Sequence, residues 1–203
     1  MFPDFLAFPV DIVAQRLLGC VLLRTIEGRT VAVRIVETEA YDQDDPASHA
    51  FRGETARNRV MFGPPGYLYV YFTYGMHYCC NVATGPVGHG SGVLIRAVEP
   101  VDGLDLLERR RGLTGVQLTN GPAKLCQALG IDRELNGHDL RLPPVELQVE
   151  GLRPGETISQ SPRIGISKAT DLLRRFHITG NPYVSRGPKR LDSILVPRVD
   201  PES

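Results

Sequence analysis

Gly66-Tyr67-Leu68-Tyr69-Val70-Tyr71-Phe72-Thr73-Tyr74-Gly75-Met76-His77-Tyr78-Cys79-Cys80-Asn81 is the stretch that decides the fold. It follows the strong turn signal Gly63-Pro64-Pro65-Gly66. Residues 67–73 and 76–83 are aromatic, apolar and β-branched, and read as two strands around Tyr74-Gly75, a β-hairpin. Tyr67, Tyr69 and Tyr71 alternate, so they share one face. Cys79 and Cys80 are adjacent, so their side chains point to opposite faces. Tyr74 is unusual at a turn tip, where small polar residues are favoured. An exposed aromatic there invites a partner, either a nucleobase or another protein surface.

Working outward, residues 20–26 and 30–37 form a second strand pair around Glu27-Gly28-Arg29. Asp11 can cap a helix over 12–18 that Gly19 ends. Residues 42–56 form a polar loop longer than a mere connection needs. Beyond the glycine-rich segment 85–92 lies an apolar strand over 92–98, then a helix over 102–111. Gly121-Pro122 opens a further helix to residue 129, with proline at a tolerated first-turn position. Short strands over 139–141 and 145–149 flank Pro143-Pro144; a strand over 158–166 and a short helix over 168–176 follow. Strands joined by hairpins, without regular alternation with helices, imply an α+β fold with a mainly antiparallel sheet. No internal repeat or long linker divides residues 1–203, so one domain is expected.

Composition agrees: 203 residues, 42% apolar and 23% charged, describe an ordinary globular chain with room for a core. No stretch is long and apolar enough for a membrane span, and the N-terminus lacks a basic region before an apolar run. A cytosolic protein is expected. The four cysteines lack zinc or redox spacing and read as buried thiols. A formal net charge of zero argues against bulk attraction to nucleic acid. The distribution is uneven, however. Residues 163–190 carry seven basic residues against one acid, whereas 37–45 carry five acids and no base. The basic stretch reads either as a phosphate-contacting face or as a solvated helix.

Ionisable groups on apolar strands are costly to bury alone, so several together suggest a pocket. Glu37 and Glu39 fall on one face of their strand, beside Tyr41, and could form an acid–base pair. Arg96, on another apolar strand, needs a carboxylate partner, and Glu39 is the natural one. His49 either contacts a substrate or satisfies its own loop. Asn81 needs hydrogen-bond partners within its strand. Asp42, Asp44 and Asp45 could be read as a metal site, but they sit in a loop with a mobile look.

At these residues the chain resembles the alkyladenine (3-methyladenine) DNA glycosylases, in their bacterial form. The resemblance rests on Glu37-Thr38-Glu39-Ala40-Tyr41, His49, Arg57-Asn58-Arg59, Met61-Phe62, and Pro65-Gly66-Tyr67-Leu68-Tyr69-Val70-Tyr71. It continues through Tyr74-Gly75-Met76, Cys79, Asn81, Leu94-Ile95-Arg96-Ala97-Val98-Glu99-Pro100, residues 121–129 and Pro162-Arg163-Ile164-Gly165-Ile166. It implies a compact domain with a curved, open-barrel-like antiparallel sheet, flanking helices and a protruding hairpin. It implies a monofunctional enzyme that flips alkylated or deaminated purines out of double-stranded DNA and hydrolyses their N-glycosidic bond. No metal or cofactor and no membrane are implied, and a monomer is expected. Carried over, Glu39 is the general base; Arg96 and the carbonyl of Ile164 help hold the water. Tyr41, His49 and Tyr71 hold the flipped base, with Ala47 and Leu94 lining the same pocket. Asn81 crowds the exocyclic amine of guanine. Tyr74 is the wedge, with Met76 beside it, and Arg57, Arg59 and Lys124 contact DNA. Two departures stand out: residues 50–56 are shorter than in vertebrate relatives, and His77 replaces their aromatic. A non-catalytic nucleic-acid-binding module would have no need for Glu39 with Arg96. A purine nucleosidase acting on free nucleosides would have no need for Tyr74 or the basic stretch.

Overall fold

The computed structural model describes residues 3–73, 75–187 and 194–196. In chain order the regular elements are α1 (Val10–Arg16), β1 (Val21–Ile26), β2 (Arg29–Tyr41), β3 (Tyr67–Thr73), β4 (His77–Ala83) and β5 (Gly92–Asp102). They continue with α2 (Leu104–Arg111), α3 (Pro122–Leu129), β6 (His138–Asp139), β7 (Val145–Gln148), β8 (Ile158–Ser161), β9 (Arg175–Ile178) and β10 (Ile194–Val196). The strands form one sheet in the order β10-β8-β9-β2-β5-β4-β3-β6, with β1 and β7 branching from β2. Every ladder is antiparallel. The sheet does not close on itself, and with its helices it is a single α+β domain.

β2 organises the sheet because it is long enough, at 13 residues, to hold different neighbours along one edge. Its first half pairs with β1 and its second half with β9, while β5 runs along the other edge. One face of the sheet is apolar: Leu68, Val70, Cys80, Val82, Val93 and Ile95 join Val13 of α1, Leu17 just after it, Leu106 of α2 and Leu125 and Leu129 of α3 in the core. Each such side chain, fully buried, contributes about 1.5–3 kcal/mol. Arg24 donates from Nε to the Leu129 carbonyl (2.9 Å) and from Nη2 to that of Gly130 (3.2 Å), satisfying the end of α3.

The opposite face carries polar and aromatic groups in register. Glu39 pairs with Leu94, Leu94 with Asn81, and Asn81 with Tyr69, one row across β2, β5, β4 and β3. Since side chains alternate, residues two places along join the same face, among them Tyr41, Tyr71 and Cys79. Over this face lies a smaller apolar cluster of Ala50, Met61, Phe62 and Tyr69. Gly90 is required beneath it, because a Cβ there would lie 2.5 Å from the Phe62 ring and 2.7 Å from Ala50.

Several local expectations are corrected. Asp11 does not cap α1; Pro9 precedes the helix, and Asp11 pairs with Arg174 at 3.2 Å. β2 runs on to Tyr41, while the strand expected over 158–166 stops at Ser161 because Pro162 offers no N–H to a ladder. The helix expected over 168–176 does not form: Ala169 adopts φ 48°, and Arg175–Ile178 is a fully buried strand between β2 and β8. Two burying ladders outweigh a weak helical spacing. Met76 lies in the hairpin loop, since β4 begins at His77; Gly75, at φ 68°, takes the left-handed turn there.

Candidate active site

The site begins with a bulge. The β2–β5 register shifts on both sides of Glu37, which re-aims the two carboxylates so that both reach Arg96. Both glutamates are completely buried. Arg96 Nε donates to Glu37 Oε1 at 3.0 Å, and Nη1 lies 3.1 Å from Glu39 Oε1. Burial works against the Arg96 charge, but Glu39 and Glu37 outweigh it and hold the guanidinium firmly protonated.

The carboxylates differ in what else they hold. Glu37 Oε1 also accepts from Arg175 Nε (2.7 Å) and Ser185 Oγ (2.7 Å), and its Oε2 accepts from the Ser185 amide (2.6 Å). With Arg96 that makes four donors on one carboxylate, three of them on Oε1 and two of them cationic. Burial alone would raise its pKa; Arg96 and Arg175 reverse this and hold it below the ordinary range. The expected Glu37–Glu39 acid–base pair is therefore unequal, with Glu37 committed to ion pairing. Glu39 Oε1 accepts from the Ile164 amide (2.8 Å) and faces Arg96, whereas Oε2 accepts from the Tyr41 hydroxyl (2.8 Å). These leave an acceptor position on Oε2. The Ile164 contact to Glu39 is thus made by its N–H.

Beside Glu39, on the far side of its partners Tyr41, Arg96 and Ile164, lies a pocket of about 530 Å³, lined by those three and by Ala47, His49, Tyr71, Asn81 and Leu94 among others. Tyr41, Ala47, His49, Tyr71, Asn81 and Leu94 are the residues expected around the base, and Arg96 and Ile164 those expected around the water; the fold brings both sets to one cavity. Tyr41 is held by the Arg163 guanidinium, 4.6 Å from its ring centroid. Burial, and next the Glu39 charge, push the Tyr41 hydroxyl far up, so it stays a donor. His49 stands edge-on to Tyr71, centroids 4.5 Å apart, and its Nδ1 lies 3.1 Å from the Tyr69 hydroxyl. Burial, then Arg57, lower the His49 pKa, so the imidazole is neutral at neutral pH. The amide of Asn81 donates to the Tyr69 carbonyl at 3.2 Å, which aligns it in its row.

The 42–56 loop is well fastened. Asp45 is buried and paired with Arg163 and, at 3.4 Å, with Arg174. Burial would raise its carboxyl, but the Arg163 hydrogen bond outweighs this and holds it low. Asn58 Nδ2 donates to the carbonyls of His49 (2.8 Å) and Gly53 (3.0 Å), pinning both ends of the turn that carries His49. Asp42 is engaged by His89 at 2.6 Å, and no metal-holding cluster of His, Cys, Asp or Glu is found among the described residues.

Tyr69, Arg163 and Asn58 were not singled out for the site by sequence. The signal for Tyr69 was present, since it alternates with Tyr71. Arg163 was counted toward a basic face, and only its fold contact with Tyr41 reveals its place. The basic stretch divides: Arg163, Arg174 and Arg175 pair with Asp45, Asp11 and Glu37, Lys168 and Arg186 are exposed, and Lys189 and Arg190 lie outside the described residues. None of the described DNA-contact candidates lines the pocket, though Arg57 lies close enough to hydrogen-bond Tyr69 and to act on His49. Met76 is 66% exposed at the hairpin tip, Arg57 and Arg59 are exposed, and Lys124 bonds Asn120 at 2.7 Å. Tyr74 lies outside the described residues.

The chain matches the model of the methylpurine-DNA glycosylase family over residues 4–182. It is 52% identical over 185 residues to a protein of Carboxydothermus hydrogenoformans named "Putative 3-methyladenine DNA glycosylase", covering 90% of this chain and 97% of that one. It is 50% identical over 192 residues to a like-named protein of Nitrosospira multiformis, covering 94% and 96%. A third, from Methanoculleus marisnigri, is 53% identical over 178 residues, covering 86% and 92%. Matches of this extent settle the kinship that the hairpin and the Glu-Thr-Glu-Ala-Tyr strand suggested: the chain belongs to the methylpurine-DNA glycosylase family, enzymes that hydrolyse N-glycosyl bonds to alkylated bases in DNA.

Proposed function

We propose that this protein, acting as a cytosolic monomer at the nucleoid, extrudes alkylated or deaminated purines from double-stranded DNA and hydrolyses their N-glycosidic bond without a metal or cofactor. The observation that carries the reading is Glu39: a buried carboxylate with an open acceptor position on Oε2, behind an aromatic-walled pocket. Extrusion costs a few kcal/mol, least for damaged or mispaired bases. The base enters between Tyr41, Tyr71 and His49, against Ala47 and Leu94, where Asn81 crowds an exocyclic amine. A cationic alkylpurine suits electron-rich tyrosine faces beside a neutral imidazole. Its glycosidic bond is already weakened. Water attacks C1′ and Glu39 takes its proton, while the electron pair of the breaking bond neutralises the departing cation. Arg96 and Ile164 position the carboxylate and the water. Neutral lesions such as hypoxanthine and ethenoadenine need an added proton on the leaving base and should react more slowly. Tyr74 fills the vacated stack, Met76 supports it, and Arg57, Arg59 and Lys124 steady the backbone.

The test is incubation with duplexes carrying 3-methyladenine, hypoxanthine or ethenoadenine, followed by alkaline cleavage of abasic sites. The wild-type protein should leave abasic sites, and Glu39→Gln should lose at least about 10²–10⁴-fold while still binding lesion DNA. Excision should survive excess EDTA. Near-normal excision by Glu39→Gln, or loss in EDTA reversed by Mg²⁺, would overturn the reading.

A further inference from the structure

A base pocket that serves DNA must end at a phosphate, since the extruded base brings its own backbone to the rim. Contact with that phosphate calls for a cation that is exposed and uncommitted. Most candidates fail one condition. Arg96 lines the pocket but is buried between two carboxylates. Arg163, Arg174 and Arg175 are spent on Asp45, Asp11 and Glu37. Arg57, Arg59 and Lys124 do not line the pocket, so the phosphates they meet are not that of the extruded nucleotide.

Lys168 meets both conditions. It is exposed, it lines the pocket, and it makes no hydrogen bond or ion pair with another described residue. Its position is set from the chemical end of the site. Ile164 is tied by its amide to Glu39, and the chain from Ile164 to Lys168 lines the pocket without a break. Four residues of backbone reach at most about 14 Å, so the segment leads from the carboxylate to the rim and no further. Gly165, at φ 78°, lets it turn outward.

We propose that Lys168 grips the phosphate of the extruded nucleotide itself, and so makes the pocket select a lesion held in a DNA strand over the free base. This rests on the glycosylase reading above but is tested separately from it. The grip adds affinity and leaves the hydrolytic step unchanged, because the ammonium meets the backbone and not the breaking bond.

The experiment measures equilibrium binding to a duplex carrying a tetrahydrofuran abasic analogue across a range of NaCl, with single-turnover excision of hypoxanthine alongside. Lys168→Ala should weaken DNA binding several-fold and flatten the plot of log K against log salt by about 0.9, the loss of one phosphate contact. Its maximal excision rate should stay within about twofold of wild type, and Lys168→Arg should restore the slope. Inhibition by free 3-methyladenine should be the same in all three proteins. An unchanged slope, a lowered maximal rate or an altered response to the free base would overturn the proposal. Absence of excision by the wild type would sink the glycosylase reading alone, since the binding slopes still decide the role of Lys168.

Discussion

The Tyr41 hydroxyl donates to Glu39 Oε2 at 2.8 Å, so one residue both walls the pocket and orients the carboxylate behind it. The two roles separate by substitution. Tyr41→Phe keeps the ring and removes a hydrogen bond to a charged group, worth about 1.5–3 kcal/mol. Excision should fall about tenfold to a hundredfold with lesion binding nearly unchanged. Tyr41→Ala should also weaken lesion binding, by the ~1–3 kcal/mol of a base–aromatic stack. Equal binding losses for Phe and Ala would show that the ring does not stack on the base.

Glu37 should matter for stability rather than for proton transfer. Its removal leaves Arg175 without its carboxylate and Arg96 with only Glu39. Glu37→Ala should destabilise the fold by about 3–5 kcal/mol, as for other broken buried pairs. The thermal midpoint should drop by several degrees or more. A midpoint within a degree of wild type, with excision lost, would instead return Glu37 to the chemistry.

His177 gives the fold a dependence on acid. Burial, then the Arg175 charge, push its pKa down to about 4, and Glu37 only partly offsets them. An unfolded chain has the ordinary value near 6.5. The unfolded state therefore takes up a proton that the folded state refuses. This contribution is fully present above pH 6.5 and is lost as pH falls toward 4, on the order of 3 kcal/mol in all. Urea titrations from pH 7.5 to 4.5 should show a shallower loss of stability for His177→Phe than for wild type. Parallel curves for the two proteins would exclude His177 as the source.

Tyr74 falls in sequence between the last residue of β3 and Gly75 in the hairpin loop. As a wedge it should matter in proportion to the stacking it must replace. Tyr74→Ser should leave the thermal midpoint nearly unchanged, within the ~0.5 kcal/mol of ordinary surface sites. Single-turnover excision should suffer most for a paired lesion and least for a mismatched or single-stranded one. Equal losses in all contexts would remove the wedge role, and a large fall in midpoint would make Tyr74 a core residue.

Alternation along the strands was enough to determine much of this protein. The shared face of Tyr69 and Tyr71, the opposed faces of Cys79 and Cys80, and the antiparallel α+β class all follow from the period of two that every strand obeys. The grouping of Glu39, Tyr41, Asn81 and Arg96 was legible because polar groups on apolar strands must find one another, whereas His49, on a loop, was joined to them only by the family resemblance. Tertiary structure alone decided how those groups divide the work. The bulge at Glu37 lets one arginine serve both carboxylates, and Arg175 and Ser185 then add three more donors to Glu37, whereas Glu39 shares only Arg96 among the cations. The basic stretch followed the same logic: three of its arginines turn inward because buried acids more than a hundred residues away need them, whereas Lys168 is left at the rim. Composition counts charges, but whether a charge is spent inside or offered outside depends on which distant partner the fold brings within reach.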